Sequence, residues 1–205
     1  MPEDHLEDQP PHDRRGFFRS SLSRLLGPVA NYIETKLPIE RLISPDLLRP
    51  PGAMAERPFL ETCFRCGSCA DACPADAIIL FKGDGERRGT PHIDPNHRAC
   101  VICDDLSCMK ACPSGALSLV DRHDIRIGLA KVNHETCVRS DGDDCTTCVD
   151  ACPLGATAIK LNKDGRIEVI DPADSGKGCT GCGVCQEQCP TRPRRAIVIH
   201  PYDAA

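Results

Sequence analysis

Apolar residues in this chain come in short bursts, and four of the bursts stand directly behind a Cys-Pro dipeptide. They read CPADAIIL, CPSGALSLV, CPLGATAIKL and CPTRPRRAIVI, with Ile78, Leu117, Ile159 and Ile197 at the matching apolar positions. Each burst predicts one short strand. A fifth stretch, IRIGLAKV at 125–132, alternates in part and reads as a strand or a buried connector between two halves. Nearer the N-terminus, Phe18, Leu22, Leu25, Val29 and Ile33 recur at steps of three and four, which places them on one face of a helix. Pro28 weakens the middle of that helix and Pro38 ends it. PDLLRPPGA at 45–53 then reads as an extended, proline-fixed linker. No apolar run approaches the 18 or so residues that a membrane-spanning helix needs.

The four Cys-Pro dipeptides close four groups of four cysteines. These are Cys63, Cys66, Cys69 and Cys73; Cys100, Cys103, Cys108 and Cys112; Cys137, Cys145, Cys148 and Cys152; and Cys179, Cys182, Cys185 and Cys189. Groups one and four have the spacing C-x2-C-x2-C-x3-C-P, which is the bacterial ferredoxin run for [4Fe–4S] clusters. Group two widens the middle step to x4, and group three widens the first step to x7. A cubane cluster needs one thiolate at each iron corner. Three cysteines on a tight loop can cap three corners. The fourth, carried on the following turn, ligates the other cluster of a two-cluster unit. Small residues between the ligands, Gly67, Ser68, Ala70, Gly181 and Gly183, let backbone N–H groups approach the sulfurs and tune the potential. The repeated apolar positions Ile78, Leu117, Ile159 and Ile197 are expected to pack against the clusters and exclude water. All sixteen cysteines are therefore expected as ligands of four [4Fe–4S] clusters. Sequential pairing of the groups, one with two and three with four, and nested pairing, one with four and two with three, both satisfy the pattern.

Other chemistries of cysteine fit less well. A disulfide framework belongs to small secreted chains, and three cysteines within seven residues do not easily pair with one another. Zinc favours two C-x2-C knuckles separated by a longer spacer. Radical chemistry needs a C-x3-C-x2-C triplet, and Asp76 and Gly115 stand where its third cysteine would be. With four cysteines in every group, His92, His97 and His134 are not needed as ligands and read as exposed or hydrogen-bonding residues.

Composition agrees with a fold held by cofactors. The chain has 205 residues, 18 prolines, 16 glycines, no tryptophan and 3% aromatic residues, a poor recipe for a large packed core. Clusters must supply much of the folding energy. The formal net charge is −5, and each oxidised cluster with its thiolates adds about −2. Acidity argues against a nucleic-acid partner and favours redox partners with basic docking faces. The acidic run Asp141, Asp143 and Asp144 in the widened loop of group three would lower the potential of that group's cluster. Arg192 to Arg195 reads as a solvated loop or as a basic docking spot.

From Leu48 to about Ile199 the chain resembles the MauM/NapG family of ferredoxin-type proteins. The stretches that carry the resemblance are LRPPGA at 48–53, FLETCFRCGSCADACP at 59–74, CVICDDLSCMKACPSGAL at 100–117, RIGLAKV at 126–132, the widened third group, and CTGCG at 179–183. The irregular steps in groups two and three are far more specific than ordinary ferredoxin runs. The resemblance implies an electron relay, in the nitrate-reductase case between a membrane quinol-oxidising partner and a downstream redox protein. Members of that kind carry a twin-arginine export signal, and Arg14-Arg15-Gly16-Phe17-Phe18-Arg19 looks like one. The apolar region behind it is broken by Arg24, Glu34 and Lys36, and no small-x-small cleavage site follows promptly. The stretch is thus a helix packed on the ferredoxin core, an anchor on a partner or membrane surface, or an export signal. The corresponding locations are the cytoplasm, with or without membrane association, and the periplasm.

The resulting expectation is an α+β, ferredoxin-like protein made of two pseudo-symmetric two-cluster units and an N-terminal helical extension. The extension covers 1–57, the first unit 58–122 and the second 123–205. Its function is electron transfer between redox partners, as a subunit or accessory of a respiratory-type oxidoreductase. An enzyme with a substrate-binding cluster would need a corner iron without a cysteine, and all four groups are complete. A maturation factor for a redox enzyme is the alternative. Glycines 83, 85, 176 and 178 are isolated turns, so no loop for a nucleotide phosphate is present.

Overall fold

A computed structural model describes residues 47–202 of the chain. The twin-arginine-like stretch and the amphipathic helix at 18–33 lie outside the described residues. The described residues belong to one compact body. Its elements are short, as the bursts of apolar sequence require. Helix α1 spans Glu56–Thr62 and α2 spans Ser68–Asp71. Strand β1 (Ile78–Leu80) and β2 (Pro91–Ile93) come next, then α3 (Ser107–Lys110). The second half runs β3 (Gly128–Val132), α4 (Thr147–Asp150), β4 (Ile159–Leu161), β5 (Ile167–Val169), α5 (Pro172–Ser175), α6 (Val184–Gln188) and β6 (Ile197–Pro201). No described helix is long and apolar enough to cross a membrane.

The strands pair as three antiparallel ribbons, β1 with β2, β4 with β5, and β3 with β6. Ile78 faces Ile93, Ile159 faces Val169, and Ala130 faces Ile199. IRIGLAKV thus resolves as a strand with a buried lead-in, since Ile125 and Ile127 are enclosed before β3 begins. Its partner β6 is the apolar burst behind the last Cys-Pro. The first half repeats this plan in a looser form. Ala53 bridges Leu117, Leu48 bridges Ile93, and the Ser118 N–H donates to Gly52 O at 2.8 Å. The part of PDLLRPPGA from Leu48 onward is therefore built into the fold and does not run free as a linker. It holds the place in the first half that β3 holds in the second.

Glycine makes the β3–β6 pairing and the bridge at Ala53 possible. A side chain at Gly52 would meet Ser118 O at 2.0 Å, and one at Gly128 would meet His200 O at 2.3 Å.

Arg49 fixes this entry segment. Its guanidinium makes a two-pronged pair with Glu56, both contacts 2.7 Å, and donates to Thr90 Oγ1 at 2.9 Å and Pro91 O at 2.8 Å. It also stacks 4.7 Å above the buried Phe59 ring. Arg87 reaches the same Glu56 carboxylate at 2.9 Å. Burial pushes the Glu56 carboxyl up, but the hydrogen bond and charge of Arg49, helped by Arg87, outweigh it and hold it below its usual range. Removing the guanidinium leaves the half-buried carboxylate with Arg87 as its remaining cation. The Arg49→Met change should cost roughly 1 to 3 kcal/mol, less than breaking a fully buried pair, because Glu56 keeps Arg87 and some solvent. A lowered thermal midpoint of the cluster-loaded chain at fixed scan rate is the expected result; an unmoved midpoint would contradict it.

Candidate metal centres

The sixteen cysteines stand around four small cavities, four to each. Cys63, Cys66 and Cys69 face a cavity completed by Cys112. Cys100, Cys103 and Cys108 face one completed by Cys73. Cys137, Cys145 and Cys148 are joined by Cys189, and Cys179, Cys182 and Cys185 by Cys152. Groups one and two thus exchange their Cys-Pro cysteines, as do groups three and four. Of the two pairings that the sequence allowed, the geometry is the sequential one.

Local backbone explains the exchange. In group one, Cys63 caps the end of α1 and Cys69 lies in α2, while the Cys73 N–H closes the turn after α2 on Ala70 O at 3.1 Å. Groups two and three repeat that closing turn, with Cys112 on Met109 O and Cys152 on Val149 O, both 3.3 Å. The sulfur behind the turn therefore points away from its own loop. The residue that starts the turn needs a left-handed backbone in three groups: Gly67 at φ 82° and Gly183 at φ 94° take it freely, and Leu106 takes it at φ 49°. The residue behind Cys-Pro then seals the partner cavity. Ile78 lines the second cavity, Leu117 the first, Ile159 the fourth and Ile197 the third, all buried.

Burial differs among the quartets. Every cysteine of group four is buried, group three has none buried, and Cys66 of group one is exposed. Burial, with repulsion from neighbouring cysteines behind it, pushes the Cys108 and Cys182 thiols up to about 12, and those of Cys69, Cys100 and Cys148 up to about 11. Four such groups cannot all ionise in a dry pocket unless positive charge enters with them. A group that brings iron and accepts hydrogen bonds on sulfide meets that demand. Thr180 Oγ1 points the same way: it is buried beside Cys179 at the wall of the fourth cavity and has no protein partner. Among the described residues no three His, Cys, Asp or Glu side chains could hold a single metal ion. Sulfurs spread around a cavity suit a polynuclear group better than one zinc ion.

Backbone N–H groups reach several of the sulfurs. Arg65 and Leu117 donate to Cys63 and Cys112 in the first quartet, and Ala77 and Ile102 to Cys73 and Cys100 in the second, at 3.4 to 3.5 Å. Hydroxyls are also present, which the sequence reading passed over. Ser68 lies 3.3 Å from Cys66, Ser114 3.6 Å from Cys112 and Thr147 3.5 Å from Cys145; the Cys189 thiol donates to Thr191 Oγ1 at 3.6 Å. Each hydroxyl sits two residues after its cysteine, so lining up the four groups would have found them. The hydrogen bond to Ser68 draws the exposed Cys66 thiol below its usual range. At Cys112 and Cys189, burial pushes upward, but the hydrogen bonds to Ser114 and Thr191, with nearby N–H groups, bring both thiols below it.

The remaining singled-out residues take structural parts. His92 packs edge-on against Phe81, ring centroids 5.7 Å apart, and burial depresses its pKa. His134 Nδ1 contacts Ser140 Oγ at 3.3 Å. Asp144 is paired with Arg139 at 2.9 Å, which offsets one charge of the acidic loop. Arg192 and Arg195 both donate to Cys189 O, so the basic run folds back over the third quartet.

Two stretches of the chain, 62–116 and 143–193, match the model of the 4Fe-4S dicluster domain. The methylamine utilization ferredoxin-type protein MauM of Paracoccus denitrificans is 41% identical over 163 residues. The ferredoxin-type protein NapG of Escherichia coli K12 is 37% identical over 167 residues. The chain belongs to the MauM/NapG family of ferredoxin-type proteins. The alignments cover 76% and 77% of this chain and 72% of each relative's length. A chain of the formate dehydrogenase–heterodisulfide reductase–formylmethanofuran dehydrogenase complex of Methanospirillum hungatei is 25% identical with a TM-score of 0.26, covering 72% of this chain and 51% of that one. At that score no common overall fold is defined. Like other ferredoxin-type proteins, this family member is an electron carrier and not a catalyst. Two dicluster domains and sixteen cysteines give it four [4Fe–4S] clusters.

The exchanged cysteines make a pairing test. Cys112→Ala should produce the same spectroscopic loss as Cys66→Ala, although the two lie in different sequence groups. Cys73→Ala should match Cys103→Ala. Electron paramagnetic resonance of the reduced variants reads this directly. A match of Cys112→Ala with Cys103→Ala would overturn the exchange.

Proposed function

We propose that the chain relays single electrons between two protein partners, one at each end of a file of four quartets. The file runs first, second, fourth, third, and all sixteen cysteines are cluster ligands. One contact carries this order. The Cys100 N–H donates to Cys182 O at 2.9 Å, which joins the loop of the second quartet to that of the fourth. Neighbouring contacts hold the join: Ala99 N–H to Glu187 Oε2 at 2.9 Å, Gln186 Nε2 to Asn96 Oδ1 at 3.1 Å, and Pro95 lying where a side chain on Gly183 would have to go. Burial fits the same order in part: Cys179, Cys182 and Cys185 of the fourth quartet are buried, and the exposed Cys66 stands at one end.

In this reading the residues form two ferredoxin-like units. The first begins near residue 47 rather than 58 and reaches 122, and the second runs from 123. Each cluster, when bound, supplies a one-electron couple whose potential its surroundings set. The chain supplies the rest. Cysteine sulfurs hold the groups at fixed spacing. Ile78, Leu117, Ile159 and Ile197 keep water out, so that charge is exchanged at the ends. The join at Cys100 and Cys182 makes one conductor of two units. The family resemblance implies a place as subunit or accessory of a respiratory-type oxidoreductase, with a quinol-oxidising membrane subunit as the donor.

The full chain, loaded anaerobically, should take up and return four electrons with no substrate present. Cys66→Ala should lose the iron of one cluster and keep the other three. Iron and sulfide analysis with a reductive titration checks both. Unchanged iron in Cys66→Ala would sink the ligand assignment.

A further inference from the structure

Among the described residues, the four cysteine–hydroxyl contacts fall on two quartets. The first quartet has Cys66 with Ser68 and Cys112 with Ser114. The third has Cys145 with Thr147 and Cys189 with Thr191. These are the two ends of the file. The equivalent positions of the inner quartets carry no hydroxyl: Asp105 follows Cys103, Ala75 follows Cys73, Val184 follows Cys182 and Leu154 follows Cys152. The hydroxyls occupy two sequence contexts, between the second and third cysteines and directly behind Cys-Pro. They meet at one quartet only because the Cys-Pro sulfurs are exchanged.

We propose that Ser68 and Ser114 at one end, and Thr147 and Thr191 at the other, are tuning residues that raise the reduction potentials of the two terminal clusters. A cysteine sulfur bound to iron has no proton to give, so in the loaded chain the hydroxyl is the donor in all four contacts. Reduction adds negative charge to a centre that is already anionic. A donor aimed at a ligand sulfur stabilises the reduced form more than the oxidised one, so the potential rises. Backbone donors do not make this distinction, because the first and second quartets each receive two of them. Thr180 is a separate case: it lines the fourth cavity but contacts no cysteine sulfur.

Other features at the ends act in the same direction. Cys66 is open to solvent, and Arg192 and Arg195 place two positive charges over Cys189. With Asp144 held by Arg139, the third quartet is less negative than its acidic loop suggests. The terminal clusters are then the ones that hold an electron most readily, where partners dock. The interior pair passes charge between them.

This inference rests on the ligand assignment above, and its test separates the two. The full chain would be prepared anaerobically as the double variant Ser68→Ala, Ser114→Ala and as the double variant Thr147→Val, Thr191→Val. Each would be titrated with paramagnetic resonance detection after iron analysis. Both should keep four clusters. In the first, one reductive step should move to more negative potential while three stay. In the second, a different single step should move the same way. Ser68→Thr with Ser114→Thr, which keeps both hydroxyls, should leave the potential near its original value. No movement in either double variant, or movement of the same step in both, would overturn the proposal. If a double variant loses a cluster, the single changes Ser68→Ala and Thr147→Val, at half-exposed positions, give the same reading with a smaller shift. Failure of the ligand assignment would instead appear as unchanged iron in Cys66→Ala.

Discussion

The exchange of the fourth cysteine is the constraint on which everything else in this molecule depends. Three sulfurs on one loop cannot close around a cubane; the fourth corner must be met from elsewhere. In the proposed ligand set it is met by the sulfur behind the neighbouring group's short helix, and the exchange is mutual. Each half of the chain is therefore tied across its own centre twice, Cys73 to the second quartet and Cys112 to the first, then Cys152 to the fourth and Cys189 to the third. The strands follow from that crossing. A Cys-Pro that has delivered its sulfur to the far cavity leaves the chain beside that cavity, and the next apolar residue seals it.

Such an arrangement explains how so little apolar material holds the described body together. The buried set is mostly Ile, Ala, Leu and Cys, with one fully enclosed phenylalanine. The ribbons are three to five residues long, and two-stranded ribbons of that size are marginal in water by themselves. Thiols raised toward 12 by burial mean that the empty quartets would be neutral and crowded, with nothing to pull them together. Filling them exchanges the thiol protons for bonds to iron, so folding and loading are coupled.

Much of this was legible in the sequence because thiolate chemistry leaves few choices. The group spacings and the repeated apolar positions follow from local pattern, and IRIGLAKV, open as a strand or a buried connector, holds a strand at Gly128–Val132 behind a buried lead-in. The pairing did not follow, since sequential and nested schemes use the same ligands; only the chain path between groups separates them. Residues 48–53 were misjudged for a related reason. Two adjacent prolines look like a linker, yet Leu48 and Ala53 bridge Ile93 and Leu117, partners 45 and 64 positions away along the chain. Propensity describes a segment alone and says nothing of a distant strand that will accept it. The hydroxyls were missed because each group was compared with a ferredoxin run, when the informative comparison was of the groups with one another.

That comparison shows why sequence order and spatial order diverge. If the groups were used in the order in which they are written, the third and fourth would sit inside and outside respectively, and the open loop of group three would have to be buried. The x7 step with Asp141, Asp143 and Asp144 is too polar for that, and all three are exposed. Group four, with glycines at 181 and 183, is compact enough to press against both β3 and the second quartet: a side chain at Gly181 would strike Gly128, and one at Gly183 would strike Pro95. The tight C-x2-C-x2-C spacing therefore belongs at the centre of the molecule on one side of the join and at its exposed end on the other. Loop size, through the backbone polarity that a longer loop must expose, decides which group can be interior in the second half. The hydroxyls then mark the ends that loop size has already chosen.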